Sequence, residues 1–233
     1  MACESIQPYF SEYIDKVDSY YTKEEADEIY SYLETLEYEK TSYYMFGNVS
    51  HSPRKMKWFS DDIKKPYVFS RTHIEGLKPV PFTAKLKEIK EKIEETTGQK
   101  FNALLINKYE SGEDKISWHS DNDRWCGEKF LVPSLSFGVE RKFNMRYKKD
   151  KSKKMKIGLK HGSLIIMKED CQDVLEHSIS SEKKVHGVRY NLTFRNIIYP
   201  EKAQKVVHKW EKIESESNKR MKTSSKLYRD FNF

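Results

Sequence analysis

The chain is poor in cysteine, in long apolar runs and in hydrophobic residues generally. Its three cysteines, Cys3, Cys126 and Cys171, stand far apart with no C-x-x-C pair. That spacing argues against a disulfide scaffold and against a thiolate zinc site. The longest apolar stretches lie around Leu104-Leu105-Ile106 and Leu164-Ile165-Ile166-Met167, far short of the ~18 residues of a membrane span. Residues Met1 to Ser5 show no basic region leading into an apolar one, so no secretory signal is expected and the chain reads as soluble and intracellular. Only 37% of residues are hydrophobic while 34% are charged. Against an average of ~45–50% apolar, this leaves part of the chain as solvated tail or loop. Aromatic residues are what it has: 15 Tyr, 12 Phe and 4 Trp, enough to build a core and to exclude a fully disordered chain. The 233 residues suit one domain with extensions.

The net charge of +7 is local. Between Met145 and Lys160 stand Arg146, Lys148, Lys149, Lys151, Lys153, Lys154, Lys156 and Lys160 against a single acidic residue, Asp150, so the remainder of the chain is neutral. Charge gathered in this way suits a polyanion, because each neutralised phosphate releases counterions. A solvated, Lys-rich hairpin tip fits the composition equally.

Periodicity divides the chain. Thr22-x-x-Glu25 is a capping box followed by Ile29, Tyr30, Leu33 and Leu36 at helical spacing, so residues 1–40 read as an N-terminal helical extension. A second helix is expected from about Pro81 to Thr97, with Leu86, Ile89 and Ile93 on one face and Gly98 as its stop. From Phe101 the period becomes that of strands: Phe101 to Tyr109, Ile116 to Asp121, Val132 to Phe137, Arg141 to Tyr147, Ser163 to Met167 and Arg189 to Ile198. Many short strands behind helices predict an α+β fold, a β-sandwich or jelly roll with flanking N-terminal helices. Residues 201–233 read as a polar tail, helical with a loose basic end at Lys219-Arg220-Met221-Lys222.

Chemistry gathers around His119-Ser120-Asp121. On a strand, residues i and i+2 share a face, so the imidazole and the carboxylate project together. With His177 as a third ligand they would form the two-histidine, one-carboxylate set that leaves open positions for non-haem Fe(II) chemistry. Beyond it lies Arg189-Tyr190-Asn191-Leu192-Thr193-Phe194-Arg195. As a strand, it would carry two guanidinium groups, an amide and a hydroxyl on one face. Such a face either meets water or needs anionic partners, and a dicarboxylate would satisfy paired arginine forks.

These motifs, with Asn107-x-Tyr109 and Ser134-Leu135-Ser136-Phe137-Gly138 between them and Phe46-Gly47, Pro53-Arg54-Lys55 and Tyr67-Val68-Phe69-Ser70 upstream, resemble the AlkB family of Fe(II)- and 2-oxoglutarate-dependent dioxygenases. The branch acting on double-stranded DNA is the most similar. The resemblance covers about Tyr43 to Pro200 and implies a double-stranded β-helix over residues 41–200 with a nucleotide-recognition lid at about 43–80. It implies that His119, Asp121 and His177 hold Fe(II). Arg189 would take the distal carboxylate of 2-oxoglutarate, Asn107, Tyr109, Asn191 and Thr193 would line that pocket, and Arg195 would lie near its metal end. With O2 as cosubstrate, the implied reaction converts 2-oxoglutarate to succinate and CO2 and hydroxylates an N-methyl group of a base. The hemiaminal then loses formaldehyde. Substrates would be 1-methyladenine and 3-methylcytosine.

A methylated Watson–Crick edge is hidden in a duplex, so the nucleotide must be flipped out. By resemblance, Tyr67 and Phe69 would lie in the lid, Phe46 beside Gly47 would fill the vacated space, Arg54 would support it, and Asn122 and Asp123 would meet the base. Ordinary core packing is the competing reading of Phe46 and Phe69. Lys151, Lys153 and Lys154 would contact phosphates from a hairpin loop, giving affinity without sequence readout. Alkylated nucleic acid, DNA or else RNA, is the expected partner of a monomer with no membrane association, intracellular and, were the cell eukaryotic, nuclear. An RNA demethylase, a protein-directed hydroxylase and a non-catalytic jelly-roll nucleic-acid binder are the competing functions.

Overall fold

The computed structural model describes residues 6–45, 48–63, 77–121 and 130–198. Along the chain run α1 (Pro8–Ser11), β1 (Ile14–Val17), α2 (Lys23–Glu34), β2 (Ser42–Met45), β3 (Asn48–His51), β4 (Lys55–Ser60), β5 (Pro79–Val80) and α3 (Ala84–Thr97). There follow β6 (Ala103–Tyr109), β7 (Ile116–His119), β8 (Val132–Gly138), β9 (Arg141–Tyr147), β10 (Lys154–Leu159), β11 (Ser163–Met167), α4 (Cys171–Val174), β12 (Leu175–Ile179) and β13 (Arg189–Arg195). The chain divides after Ile197 into two compact units, and all these elements belong to the first. No helix among the described residues is long and apolar enough to cross a membrane.

A large sheet runs β1-β11-β8-β13-β6-β4-β5 and a small one β10-β9-β12-β7, with a separate β2-β3 hairpin. The pairings within the two sheets are antiparallel except β4 with β5. Neighbours distant in sequence, such as β13 between β6 and β8, give the crossed connections of a jelly roll. Strand alternation gives each sheet face its character. On β13, Tyr190, Leu192 and Phe194 join Leu104, Ile106, Leu135 and Phe137 in one core with Ala26, Ile29 and Leu33 of α2 and Leu86, Ile89 and Ile93 of α3. The helices therefore cover the apolar face of the large sheet. Arg189, Asn191, Thr193 and Arg195 take the opposite face, and its arginines are buried, at 1% and 2% exposed. Those side chains do not face water.

The helices start and stop where their chemistry says. Thr22 and Glu25 form the reciprocal capping box of α2, and Thr83 accepts the Leu86 amide at the start of α3. Gly98 ends α3 in the left-handed region at φ 68°, where an L side chain would be strained.

The N-terminal segment is not purely helical. Ile14–Val17 pairs with β11, Ile14 opposite Met167, and Ile14 is fully buried. Four residues are too few to show a period, and the edge of β11 decides their conformation. β4, β10 and β12 also lie outside the expected strands. In β10 the lysines alternate with the buried Met155 and Ile157, so the basic stretch is a β9–β10 hairpin whose tip, rather than its whole length, is a loop.

Candidate metal centre and dicarboxylate pocket

The pairing of β12 with β7 sets His177 directly opposite His119, with ring centroids 4.3 Å apart. Asp121 follows two residues later, and one ligand atom from each of the three lies within 4.8 Å of the others. His119 Nδ1–H donates to the Ser117 carbonyl at 2.8 Å. A carbonyl can only accept, so this bond fixes the tautomer and leaves the lone pair on Nε2, 3.7 Å from Asp121 Oδ1. His177 is 4% exposed and its Nδ1 has no hydrogen-bond partner.

Burial lowers the pKa of His119, against the opposing pull of Asp121. Burial, and then His119, push His177 down to about 3. Burial would raise the Asp121 carboxyl, but Arg195 and the two histidines outweigh it and hold it well below the usual carboxylate range. Two neutral imidazoles and one ionised carboxylate converge at neutral pH, the protonation state a divalent metal needs. The donor set fits Fe(II).

Asp121 is held from two sides, at its carboxylate and at its main chain. Arg195 Nη2 stands 3.2 Å from Asp121 Oδ1, which spans the two sheets. The Asp121 amide donates to Gln172 Oε1 at 2.8 Å. Gln172, 2% exposed, in turn has its carbonyl bonded by Lys148 Nζ at 2.5 Å. Nothing in the sequence marks Gln172, which works from the short α4 through a main-chain contact 51 residues away.

The polar face of β13 forms the second half of the site. Arg189 lies opposite Tyr109 on β6 and Gly138 on β8, and Asn191 opposite Asn107 and Ser136. Arg189 Nη2 donates to Ser136 Oγ at 2.9 Å, while Nε and Nη1 are buried without hydrogen-bond partners. Its guanidinium stands 5.1 Å from the Tyr109 ring centroid. Burial, chiefly, brings its pKa down to about 10. A buried cation with two idle donors calls for a carboxylate. Asn191 Nδ2 donates to Ser134 Oγ at 2.6 Å, and Thr193 Oγ1 to Asn191 Oδ1 at 3.2 Å. Ser134 and Ser136, part of a recognised motif but not of the expected site, thus hold the pocket's polar groups.

Arg54 donates from Nε to Asn107 Oδ1 at 2.7 Å, so it meets a residue expected in the dicarboxylate pocket. A second unforeseen group is Arg141, 1% exposed. Its guanidinium donates to the carbonyls of Ser111, Asp114 and Ser180 at 2.7 to 3.0 Å, tying the loop before β7 to the loop after β12.

Phe46, Gly47, Tyr67, Phe69, Asn122 and Asp123 lie outside the described residues. So do residues 64–76 of the expected lid and the whole of the tail from 201. Lys151, Lys153 and Lys154 are exposed at the hairpin tip and the start of β10. Other cations of the basic stretch are engaged within the fold: Arg146 pairs with Glu176 at 2.5 Å and stacks 3.9 Å from the Trp118 ring, and Lys160 pairs with Asp18 at 3.0 Å.

Comparison with known proteins agrees with this geometry. The profile of the 2OG-Fe(II) oxygenase superfamily matches residues 15–195. The chain is 37% identical over 158 residues to the human alpha-ketoglutarate-dependent dioxygenase alkB homolog 3, covering 64% of this chain and 53% of that protein. To the human DNA oxidative demethylase ALKBH2 it is 35% identical over 195 residues, covering 77% and 72%. The chain thus spans about half the length of the alkB homolog 3 relatives. Among solved structures, one described as OsALKBH1 superposes with a TM-score of 0.58 at 16% identity, covering 83% of this chain and 100% of that one. A 2OG-Fe(II) oxygenase-family oxidoreductase from Burkholderia pseudomallei gives 0.56 at 11%, covering 85% and 96%. Both show the shared fold. Fold, converging ligands and sequence agree that the chain belongs to the 2OG-Fe(II) oxygenase superfamily as an AlkB-like member, with Fe(II), 2-oxoglutarate and O2 as its cofactor and cosubstrates.

Proposed function

We propose that this protein demethylates N-methylated bases of nucleic acid, with DNA carrying 1-methyladenine or 3-methylcytosine as substrate. The observation that carries the reading is Arg189. Its two unpartnered buried nitrogens share one strand face with Arg195, which touches the metal-site carboxylate of Asp121. A dicarboxylate bound there would reach from Arg189 toward the metal.

Fe(II), held by His119, Asp121 and His177, would supply O2 activation coupled to decarboxylation of 2-oxoglutarate. The sum is balanced: an N-methyl base, 2-oxoglutarate and O2 give the demethylated base, formaldehyde, succinate and CO2. The protein's own groups bind and orient. Arg189 takes the distal carboxylate, with Tyr109, Asn107, Asn191 and Thr193 around it. Arg195 keeps Asp121 ionised, and Gln172 fixes the main chain on which Asp121 turns. Lys151, Lys153 and Lys154 bind phosphates. The parts of residues 43–80 outside β4 and β5, which belong to the large sheet, serve as the lid over the flipped base, with Phe46, Tyr67 and Phe69 as its aromatic contacts and Asn122 and Asp123 near the base. The names of the relatives support DNA as the substrate. The proposal extends to a monomer working in the nucleus, with Lys219-Arg220-Met221-Lys222 as a basic import signal.

The test is release of succinate and formaldehyde by the full chain with Fe(II), 2-oxoglutarate and ascorbate, on matched single- and double-stranded DNA and RNA carrying 1-methyladenine. Formaldehyde that depends on the methyl group in DNA is expected. Formaldehyde from RNA alone would move the substrate to RNA, and neither product from folded, iron-loaded protein would overturn the reading.

A further inference from the structure

The N-terminal α1 is fastened to the basic hairpin. Phe10, 1% exposed, meets the Tyr147 ring edge-on with centroids 5.4 Å apart, and Tyr13 meets it at 6.0 Å. The Tyr147 hydroxyl donates to the Tyr9 carbonyl at 2.5 Å. Tyr9 itself is left outside, with 68% of its surface exposed. Lys153 Nζ stands 5.6 Å from the Tyr9 ring centroid and 5.7 Å from that of Tyr147. Lys149, Lys151 and Lys154, on the same hairpin as Lys153, are exposed. Asp150, the acidic residue of the tip, is exposed, and its carboxylate accepts from the Ser152 amide and hydroxyl at 3.1 and 2.5 Å.

Nothing in the packing of α1 requires an aromatic ring at Tyr9, because Phe10 supplies the buried anchor. A rigidly mounted, exposed ring among lysines is the combination that binds single strands: the ring face stacks on any base and the cations track the phosphates. Position agrees as well. His177 pairs with Met145, and Tyr147 lies two residues further along the same face of β9, about 7 Å away. A strand delivered to the metal centre therefore has flanking nucleotides within reach of this spot.

We propose that Tyr9, mounted on Tyr147 and flanked by Lys151 and Lys153, is a stacking platform for an unpaired base next to the target nucleotide. This rests on the nucleic-acid reading above and adds a contact outside the jelly roll, with a preference for unpaired DNA.

The test is fluorescence anisotropy of the full chain with unmodified oligothymidylate and with a duplex of equal length, over a salt series. Tyr9→Ala is expected to weaken single-strand binding about tenfold at every salt concentration and to leave the duplex nearly unaffected. Tyr9→Phe should bind as the parent does, and Lys153→Ala should lower the log–log salt slope by about 0.7. Unchanged single-strand affinity in Tyr9→Ala would overturn the platform, as would equal losses on single strand and duplex or a Tyr9→Phe variant as weak as Tyr9→Ala. An unchanged melting temperature in Tyr9→Ala separates a missing stacking surface from misfolding. The formaldehyde assay separates the two readings. Demethylation with Tyr9-independent binding removes only the platform, whereas Tyr9-dependent binding without demethylation supports the platform and removes the catalytic reading.

Discussion

Positive charge is used in opposite ways in two regions of this molecule. On the polar face of the large sheet, Arg189 and Arg195 are buried to 1% and 2% exposure, each aimed at a defined task. At the hairpin tip, Lys151, Lys153 and Lys154 are exposed to solvent. Buried charge is costly unless paired, so each buried arginine implies its own anion and its loss is expensive. Exposed charge is screened, interchangeable and roughly additive, which suits a phosphate backbone of any sequence. On the proposed function, specific chemistry lies in the first region and general affinity in the second.

The largest expected effect comes from the partner of a buried arginine. Asp121→Ala removes a metal ligand and leaves the Arg195 guanidinium without its carboxylate. Turnover should fall to background and stability by about 3–5 kcal/mol, while DNA affinity stays within about twofold. Measurable turnover in this variant would refute the metal assignment.

Next comes Arg189→Lys, which keeps the charge and loses the planar fork. The KM for 2-oxoglutarate should rise about 100-fold with metal affinity preserved. Loss of metal binding instead would show that Arg189 supports the metal ligands rather than the 2-oxoglutarate carboxylate.

Gln172→Ala tests whether a group that touches only the main chain of Asp121 matters. About a tenfold loss of metal affinity is expected, with the affinity for oligonucleotide unaltered. No loss would reduce Gln172 to core packing.

Smallest per residue are the lysines. Replacing Lys151, Lys153 and Lys154 by Ala should lower the salt slope by about 0.7–0.9 for each phosphate no longer neutralised and weaken all sequences alike. A loss confined to certain sequences would contradict phosphate binding.

Acidity offers a further check on the buried region. His177 is held down to about 3 from an ordinary 6.5, so the unfolded chain takes up its proton first. The stability this contributes is fully present above pH 6.5 and is lost as pH falls toward 3. The melting temperature of the metal-free protein should therefore drop between pH 7 and pH 5, and less so in His177→Gln.

Much of this was legible from residues alone, because the informative patterns are local. The alternation along Arg189 to Arg195 survives into the structure as a shared face, and the capping box at Thr22 and the stop at Gly98 stand where they were expected; His119 and Asp121 do converge, but β7 ends at His119 and Asp121 is presented from the segment after the strand. The parts that were not legible depend on distant partners. β1 is a strand because β11 offers it an edge. β10 was hidden by its own lysines, which read as loop until Met155 and Ile157 are seen facing inward. Gln172, Arg141 and Arg54 act through bonds across 27 to 53 residues, and no spacing rule reports a bond to a main-chain carbonyl or to the side chain of a distant strand.

The histidine–carboxylate cluster and the arginine wall are proposed as one site. Anaerobic calorimetric titration of 2-oxoglutarate into the full chain, with and without Fe(II), measures that coupling directly. A ligand that also contacts the metal binds more tightly when the metal is there, and linkage makes the effect reciprocal, so Fe(II) should tighten 2-oxoglutarate binding at least tenfold in the parent, and Arg189→Met should abolish binding in both states. Equal affinity with and without the metal, or binding that survives in Arg189→Met, would contradict the account.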